Sequence, residues 1–160
     1  MLSDKNNKNR CSTSLSLQEL SDRYELEQLI YEYSDIIDRR RFDDLSSIFT
    51  KDALIDYTDT GGIRGDLETI KQFLEESFIY FPTSHHLNAN IRLKVDSDSA
   101  TGTVTCLNPM EMQLSDENRQ LVFIGLWYHD TFVRTRQGWK FSKRVQEKAH
   151  DFNKPDLRTL

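Results

Sequence analysis

Residues 85–148 read HHLNANIRLKVDSDSATGTVTCLNPMEMQLSDENRQLVFIGLWYHDTFVRTRQGWKFSKRVQEK, and this stretch decides the fold. Apolar and β-branched residues alternate with polar ones through His85–Val95, Ala100–Leu114, Gln120–Thr135 and Trp139–Lys148, the two-residue period of half-buried strands. The intervals between them are short clusters of Asp and Ser, of Asp, Glu and Asn, and of Arg, Gln and Gly, which suit turns. Long consecutive strands joined this way pair antiparallel. A four-strand meander is expected.

Upstream the period changes. Ser16-Leu17-Gln18-Glu19 is a capping-box signal, and Leu26, Leu29, Ile30, Tyr33 and Ile37 follow at helical spacing, predicting one amphipathic helix to about Arg40. A short second helix is expected over Asp43–Phe49, then a strand over Ala53–Tyr57 that ends at Asp59-Thr60-Gly61-Gly62. Asp66 can cap a third helix carrying Ile70, Phe73, Leu74 and Phe78, closed by Pro82. Helices first and strands afterward indicate an α+β domain, its helices packed on one face of a curved sheet. Such an arrangement makes a concave apolar pocket for a small molecule.

The chain has 160 residues, 37% of them hydrophobic, which suits one domain with one core. Residues 1–15 read as a disordered N-terminal tail, 16–150 as the domain and 151–160 as a C-terminal tail. A net charge of -5 argues against nucleic-acid binding. The basic clusters Arg39-Arg40-Arg41 and Lys143-Arg144 are offset by Asp43, Asp44 and Glu147 and read, Arg144 excepted, as solvated surface. Cys11 and Cys106 give neither a disulfide framework nor metal-ligand spacing, so no metal is expected and a reducing compartment fits. No secretory signal core and no bilayer-length apolar run is present, so a cytoplasmic chain without membrane contact is expected.

Two groups could carry acid–base chemistry. Asp38 and Tyr33 flank the apolar stripe of the first helix, where periodicity alone makes Tyr33 core and Asp38 solvated. The His85-His86 pair opens a strand, so its side chains face opposite ways. Simple alternation groups His85 with Leu87, Ala89, Ile91 and Leu93, the apolar face, and His86 with Asn88, Asn90 and Arg92. A bulge near the strand start would be needed to turn His86 inward. His129 and His150 read as structural. No Gly-x-Ser-x-Gly elbow, phosphate loop, dinucleotide fingerprint or His-Glu-x-x-His motif occurs, which narrows an enzyme to cofactor-free acid–base chemistry.

Four blocks in order resemble the SnoaL-like domain of the NTF2-like superfamily, the group that includes γ-hexachlorocyclohexane dehydrochlorinase, scytalone dehydratase and bile acid 7α-dehydratase. They are Leu29-Ile30-x-x-Tyr33-x-x-x-x-Asp38-Arg39-Arg40, Phe49-x-x-Asp52-Ala53, His86-x-x-x-Asn90-Ile91-Arg92-Leu93 and Gly138-Trp139-Lys140-Phe141-Ser142-Lys143-Arg144. The resemblance covers about residues 17–150. It implies a cone-shaped NTF2-like fold, with N-terminal helices on a strongly curved, mainly antiparallel sheet. It also implies that Asp38 and His86 are the Asp-His dyad, against the alternation reading, and that Arg144 helps accommodate a departing anion. Tyr33 stands where the dehydrochlorinase has lysine and the bile acid dehydratase has tyrosine, which favours an oxygenated substrate.

The expected function is therefore a cofactor-independent lyase, a dehydratase of a cyclic or polycyclic hydroxy-ketone, with Asp38, His86, Tyr33 and Arg144 as catalytic groups. Pocket walls are expected from Tyr57, Val104, Cys106, Asn108, Ile124, Leu126 and Tyr128, with plain core packing as the alternative for the apolar members. The other functional readings are an isomerase or cyclase using the same dyad, a non-catalytic small-molecule-binding protein, or a structural protein like a ring-hydroxylating dioxygenase β-subunit. A homo-oligomer, a trimer by resemblance, is expected, with no nucleic acid or membrane partner.

Overall fold

Ser16 starts the first helix: its hydroxyl accepts from the Glu19 backbone N–H at 3.1 Å, satisfying one of the donors a helix start leaves without intrahelical partners. The helix, α1 (Leu17–Asp38), buries Leu26, Ile30, Tyr33, Ile36 and Ile37 along one face. It ends two residues before Arg40, which takes the left-handed conformation with φ of 61°, a role glycine usually fills at helix ends. The Arg40 side chain turns back to donate to the Ile37 and Asp38 carbonyls at 3.0 and 3.1 Å. The computed structural model describes residues 14–155, so most of the expected N-terminal tail and residues 156–160 lie outside the described residues.

A 3₁₀ turn (Phe42–Asp44) and a four-residue helix, α2 (Leu45–Ile48), follow. The strand β1 (Phe49–Asp56) begins four residues earlier than Ala53, and the second helix is correspondingly shorter than expected. Packing explains the difference. Phe49 stacks on Phe141 with ring centroids 4.9 Å apart and sits opposite it in the sheet, which outweighs a local helical preference. Next come a two-residue strand β2 (Arg64–Gly65) and α3 (Leu67–Ser77), whose N-cap Asp66 accepts from the Thr69 N–H at 2.9 Å. The remaining strands are β3 (Thr83–Ser84), β4 (Leu87–Asp96), β5 (Ser99–Ser115), β6 (Asn118–Thr135) and β7 (Gly138–Phe152). β7 therefore takes Asp151 and Phe152 out of the expected C-terminal tail, Phe152 lying opposite Phe123.

The seven strands form one sheet in the order β2-β1-β7-β6-β5-β3, with β4 also on the β5 edge. All pairings are antiparallel except β1 with β7, so the fold is α+β with N-terminal helices on a mixed, mostly antiparallel sheet. The long β5–β6 ladder sets the inner face: Gly102 lies opposite Asp130, Val104 opposite Tyr128, Cys106 opposite Leu126, Asn108 opposite Ile124 and Met110 opposite Val122. Val104, Cys106, Leu126 and Tyr128 join Ile30, Tyr33, Ile37 and Phe141 in the main core. Met110, Met112 and Val122 continue the same face as a second cluster, covered by Phe81 and Leu114. No helix among the described residues is long and apolar enough to cross a membrane.

At the other end of α1, buried Asp22 pins the helix to the sheet. It accepts from Gln18 at 3.0 Å, Trp139 Nε1 at 3.3 Å and Arg134 at 2.7 Å. Burial acts to raise its carboxyl, but these donors hold it below the ordinary value of 3.8. A group whose folded value is depressed stabilises the fold above its unfolded value, and that stabilisation disappears as pH falls through the folded value. Chemical unfolding at a series of pH values is expected to show Asp22→Asn less stable than wild type at neutrality, with a shallower loss below about pH 4. Parallel acid limbs would leave Asp22 without this role.

Candidate functional site

Asp38 occupies the last position of α1, where the helix dipole disfavours a negative charge, so its carboxylate needs donors from elsewhere. The β5 edge supplies them. The chain enters this edge as β3, leaves regular pairing at His85 and His86, and resumes as β4. Ser84 Oγ donates to Asp38 Oδ1 at 2.9 Å and the His86 backbone N–H to Oδ2 at 2.8 Å. The His86 ring meets Oδ1 through Nδ1 at 2.7 Å. Burial acts to raise the Asp38 carboxyl, yet the His86 and Ser84 contacts hold it below the usual carboxylate value. An ionised carboxylate only accepts, so Nδ1 carries the proton and the Nε2 lone pair of a neutral ring is left to take another.

The strand geometry explains how His86 turns inward. Pairing of β4 with β5 shifts register between Ala89 and Arg92, and Asn90 takes φ of 47°. This bulge reverses the parity. His86 and Asn88 are inward before it, and Ile91, Leu93 and Val95 after it, whereas His85 stays exposed. The simple alternation that favoured His85 fails at that point. His86 is largely enclosed, its side chain 4% exposed against 18% for Asp38.

A cluster of phenols adjoins the pair. The Tyr33 ring packs edge-on against His86 at 6.2 Å and against Tyr128 at 5.8 Å, and its hydroxyl shares a 2.7 Å hydrogen bond with the Tyr57 hydroxyl. Burial raises all three phenols, so they remain protonated and act as neutral donors. The Arg144 guanidinium lies 4.0 Å from the Tyr33 ring, 4.1 Å from Tyr128 and 4.4 Å from Phe141. It is fully buried and binds Asp130 twice, Nε to Oδ1 and Nη2 to Oδ2, each at 2.8 Å. Most of its charge is thus engaged already, and only Nη1 is without a partner among the described residues.

Other buried polar atoms here also lack partners among the described residues. They are the Tyr128 hydroxyl and the carbonyl oxygens of Asn88 and Asn108. Asn108 Nδ2 is 3.4 Å from His86 Nε2, and Asn88 Nδ2 donates to Ser34 at 2.7 Å. An unmade hydrogen bond in a dry interior is costly, so such atoms, with Asn108 beside the imidazole and Tyr128 and Arg144 packed on Tyr33, are suited to a polar ligand.

Of the expected wall residues, Tyr57, Tyr128 and Asn108 reach this group directly. Val104, Cys106 and Leu126 are buried on the same sheet face, and half-buried Ile124 bridges to the methionine cluster. Burial pushes the Cys106 thiol up to about 12, which keeps it protonated and inert as a nucleophile. Ser84, Asn88, Arg40 and Asp130 were not singled out from sequence. Asp130 shares the inward parity of Tyr128, and Ser84 and Asn88 that of His86, so face-sharing was the usable signal. His129 pairs with Glu147 at 2.5 Å on the exposed outer face.

Residues 18–145 match the family described as SnoaL-like domain. An uncharacterized protein of Mycobacterium tuberculosis is 47% identical over 135 residues, which is 84% of this chain and 90% of the relative. Among solved structures, a candidate scytalone dehydratase from Novosphingobium aromaticivorans superposes with a TM-score of 0.75 at 21% identity, covering 85% of this chain and 89% of the other. A hexachlorocyclohexane dehydrochlorinase from Novosphingobium barchaimii gives 0.74 at 22% identity, covering 88% and 95%. At such identities these two likenesses speak for the fold.

Proposed function

The chain belongs to the SnoaL-like domain family, and from that premise we propose that it is a cofactor-independent lyase that dehydrates a cyclic or polycyclic hydroxy-ketone. The observation that carries this reading is the 2.7 Å contact between Asp38 and His86 Nδ1, which leaves Nε2, 3.4 Å from the Asn108 amide nitrogen, as the ring nitrogen that can take a proton. His86 Nε2 takes the proton from the carbon next to the substrate carbonyl. Asp38 stabilises the imidazolium that results. The electron pair passes to the carbonyl oxygen, where a phenol hydroxyl of the Tyr33–Tyr57 pair donates to the developing charge. As the enolate collapses, the β-hydroxyl leaves with a proton returned from the imidazolium, and the products are an enone and water.

Arg144 lends its field to the same step from behind Tyr33, with Nη1 the one nitrogen left for an anion. Because the His86 side chain is only 4% exposed, the proposed reaction requires neighbouring side chains to give way to a substrate. Met110 and Met112, one and two inward positions beyond Asn108, are suited to that because thioether side chains repack easily. An isomerase with the same base and donors is the second reading, since the phenols already provide the oxyanion contact that proton relocation requires. Incubating the protein with a panel of cyclic hydroxy-ketones in deuterium oxide tests both. α-C–H exchange with loss of water supports the lyase, exchange with retention of the hydroxyl supports the isomerase, and no exchange across the panel counts against both.

Tyr33→Phe keeps the ring under Arg144 and removes only the hydroxyl. Turnover is expected to fall by about 10²-fold, the scale of a lost oxyanion donor, with the fold intact. Steady-state kinetics with the identified substrate checks this, and unchanged turnover would reduce Tyr33 to a packing residue.

A further inference from the structure

Asp38 does not meet His86 alone. Its Oδ1 takes the imidazole Nδ1–H and the Ser84 hydroxyl together, at 2.7 and 2.9 Å. Ser84 Oγ in turn accepts from Arg40 Nη1 at 3.0 Å, while Arg40 Nη2 donates to the Phe81 carbonyl at 2.6 Å. The Arg40 guanidinium also lies 4.3 Å from the Phe78 ring. One arginine, held in a left-handed backbone conformation just after the helix, thereby ties the end of α1 to the segment that delivers Ser84 and His86. Ser84 uses its single proton on Asp38 because Arg40 fills its acceptor side.

Resting on the reading of His86 as the base, we propose that Ser84 is a positioning residue for the Asp38–His86 pair, oriented by Arg40, and that it tempers the basicity of His86. The hydroxyl withdraws part of the negative charge on Oδ1. Without it, the carboxylate acts more strongly on Nδ1–H, the imidazolium is favoured and His86 becomes a poorer match for proton transfer near neutrality. The other titratable and charged groups around the pair are Tyr33 and Arg40 from α1 and its end and Cys106 from β5. Behind Tyr33 lie Tyr57 on β1, Tyr128 on β6 and the Arg144–Asp130 pair. None of these contacts Oδ1 of Asp38, so removing the Ser84 hydroxyl takes one donor from that oxygen and one acceptor from Arg40, whose bonds to the Ile37, Asp38 and Phe81 carbonyls remain.

The test needs no substrate. The imidazole titrations of the full chain are followed by NMR in wild type, Ser84→Ala, Ser84→Thr and Arg40→Gln, with His85 as the internal reference. In Ser84→Ala the His86 midpoint is expected to rise by about half a pH unit or more, a fraction of the roughly 1–2 units that a hydrogen bond to a charged group is worth, because the lost bond acts on Asp38 and reaches His86 through it. Ser84→Thr restores it, Arg40→Gln moves it part of the way in the same direction, and His85 does not move. An unmoved His86 midpoint in Ser84→Ala would overturn the proposal. Should that variant fail to fold, Ser84→Cys, which keeps the volume and weakens the donor, carries the same two outcomes. A shifted midpoint in a protein that exchanges no hydroxy-ketone proton would keep the Ser84 assignment and remove the proposed reaction.

Discussion

Replacing His86 with alanine is expected to lower turnover roughly 10² to 10⁴-fold, the usual worth of a positioned acid–base group, while His85→Ala leaves it within about a few-fold. The two neighbours make the comparison clean. His86 is enclosed, bonded to Asp38 through Nδ1 and edge-on to Tyr33, whereas His85 is exposed. His85 contributes to the edge through its backbone, which donates to the Pro109 carbonyl at 3.0 Å, and alanine preserves that bond. Measuring kcat/KM and α-C–H exchange for both variants separates the proposed base from its neighbour. Exchange lost in the His85 variant and kept in the His86 variant would reverse the assignment.

That comparison also marks where sequence period stops being a guide. The order of helices and strands was legible because α1 and the strands from β4 to β7 each hold one period over many residues. The inward turn of His86 was not, because it depends on one residue, Asn90, adopting a left-handed conformation inside a strand. A bulge changes the face of every residue before it, and two-residue periodicity contains no trace of it. β2 and β3 are two residues long and carry no period at all.

Charge clusters were similarly opaque. Arg39 and Arg41 do lie at the surface, paired with Asp35, Glu32 and Asp44, as a solvated cluster should. Arg40 between them turns inward to the helix end and Ser84. Adjacent residues of like charge cannot be divided between surface and interior by composition. The family blocks pointed to Tyr33, Asp38, His86 and Arg144 as a set, but they said nothing of Asp130, whose carboxylate settles what Arg144 can do.

Removing that carboxylate is expected to produce a large loss of stability. Asp130 and Arg144 are both fully buried, and the two 2.8 Å bonds between them have the parallel geometry of a guanidinium–carboxylate fork. Burial raises the Asp130 carboxyl, with Arg144 pulling against it, so each charge depends on the other. In Asp130→Ala the guanidinium stays in an apolar setting of Tyr33, Tyr128 and Phe141 rings with nothing to balance it, and breaking such a pair costs about 3–5 kcal/mol. The aromatic faces offset part of this, each desolvated contact being worth about 2 kcal/mol or more, which places the expectation toward the lower end of that range. The double variant Asp130→Leu with Arg144→Met removes both charges, fills the space with apolar atoms, and is expected to be more stable than Asp130→Ala. Equilibrium denaturation of wild type, the single variant and the double variant checks the order. A single variant within about 1 kcal/mol of wild type would mean that Arg144 finds another partner or water, and the pair would then not be what anchors the guanidinium beneath the phenols.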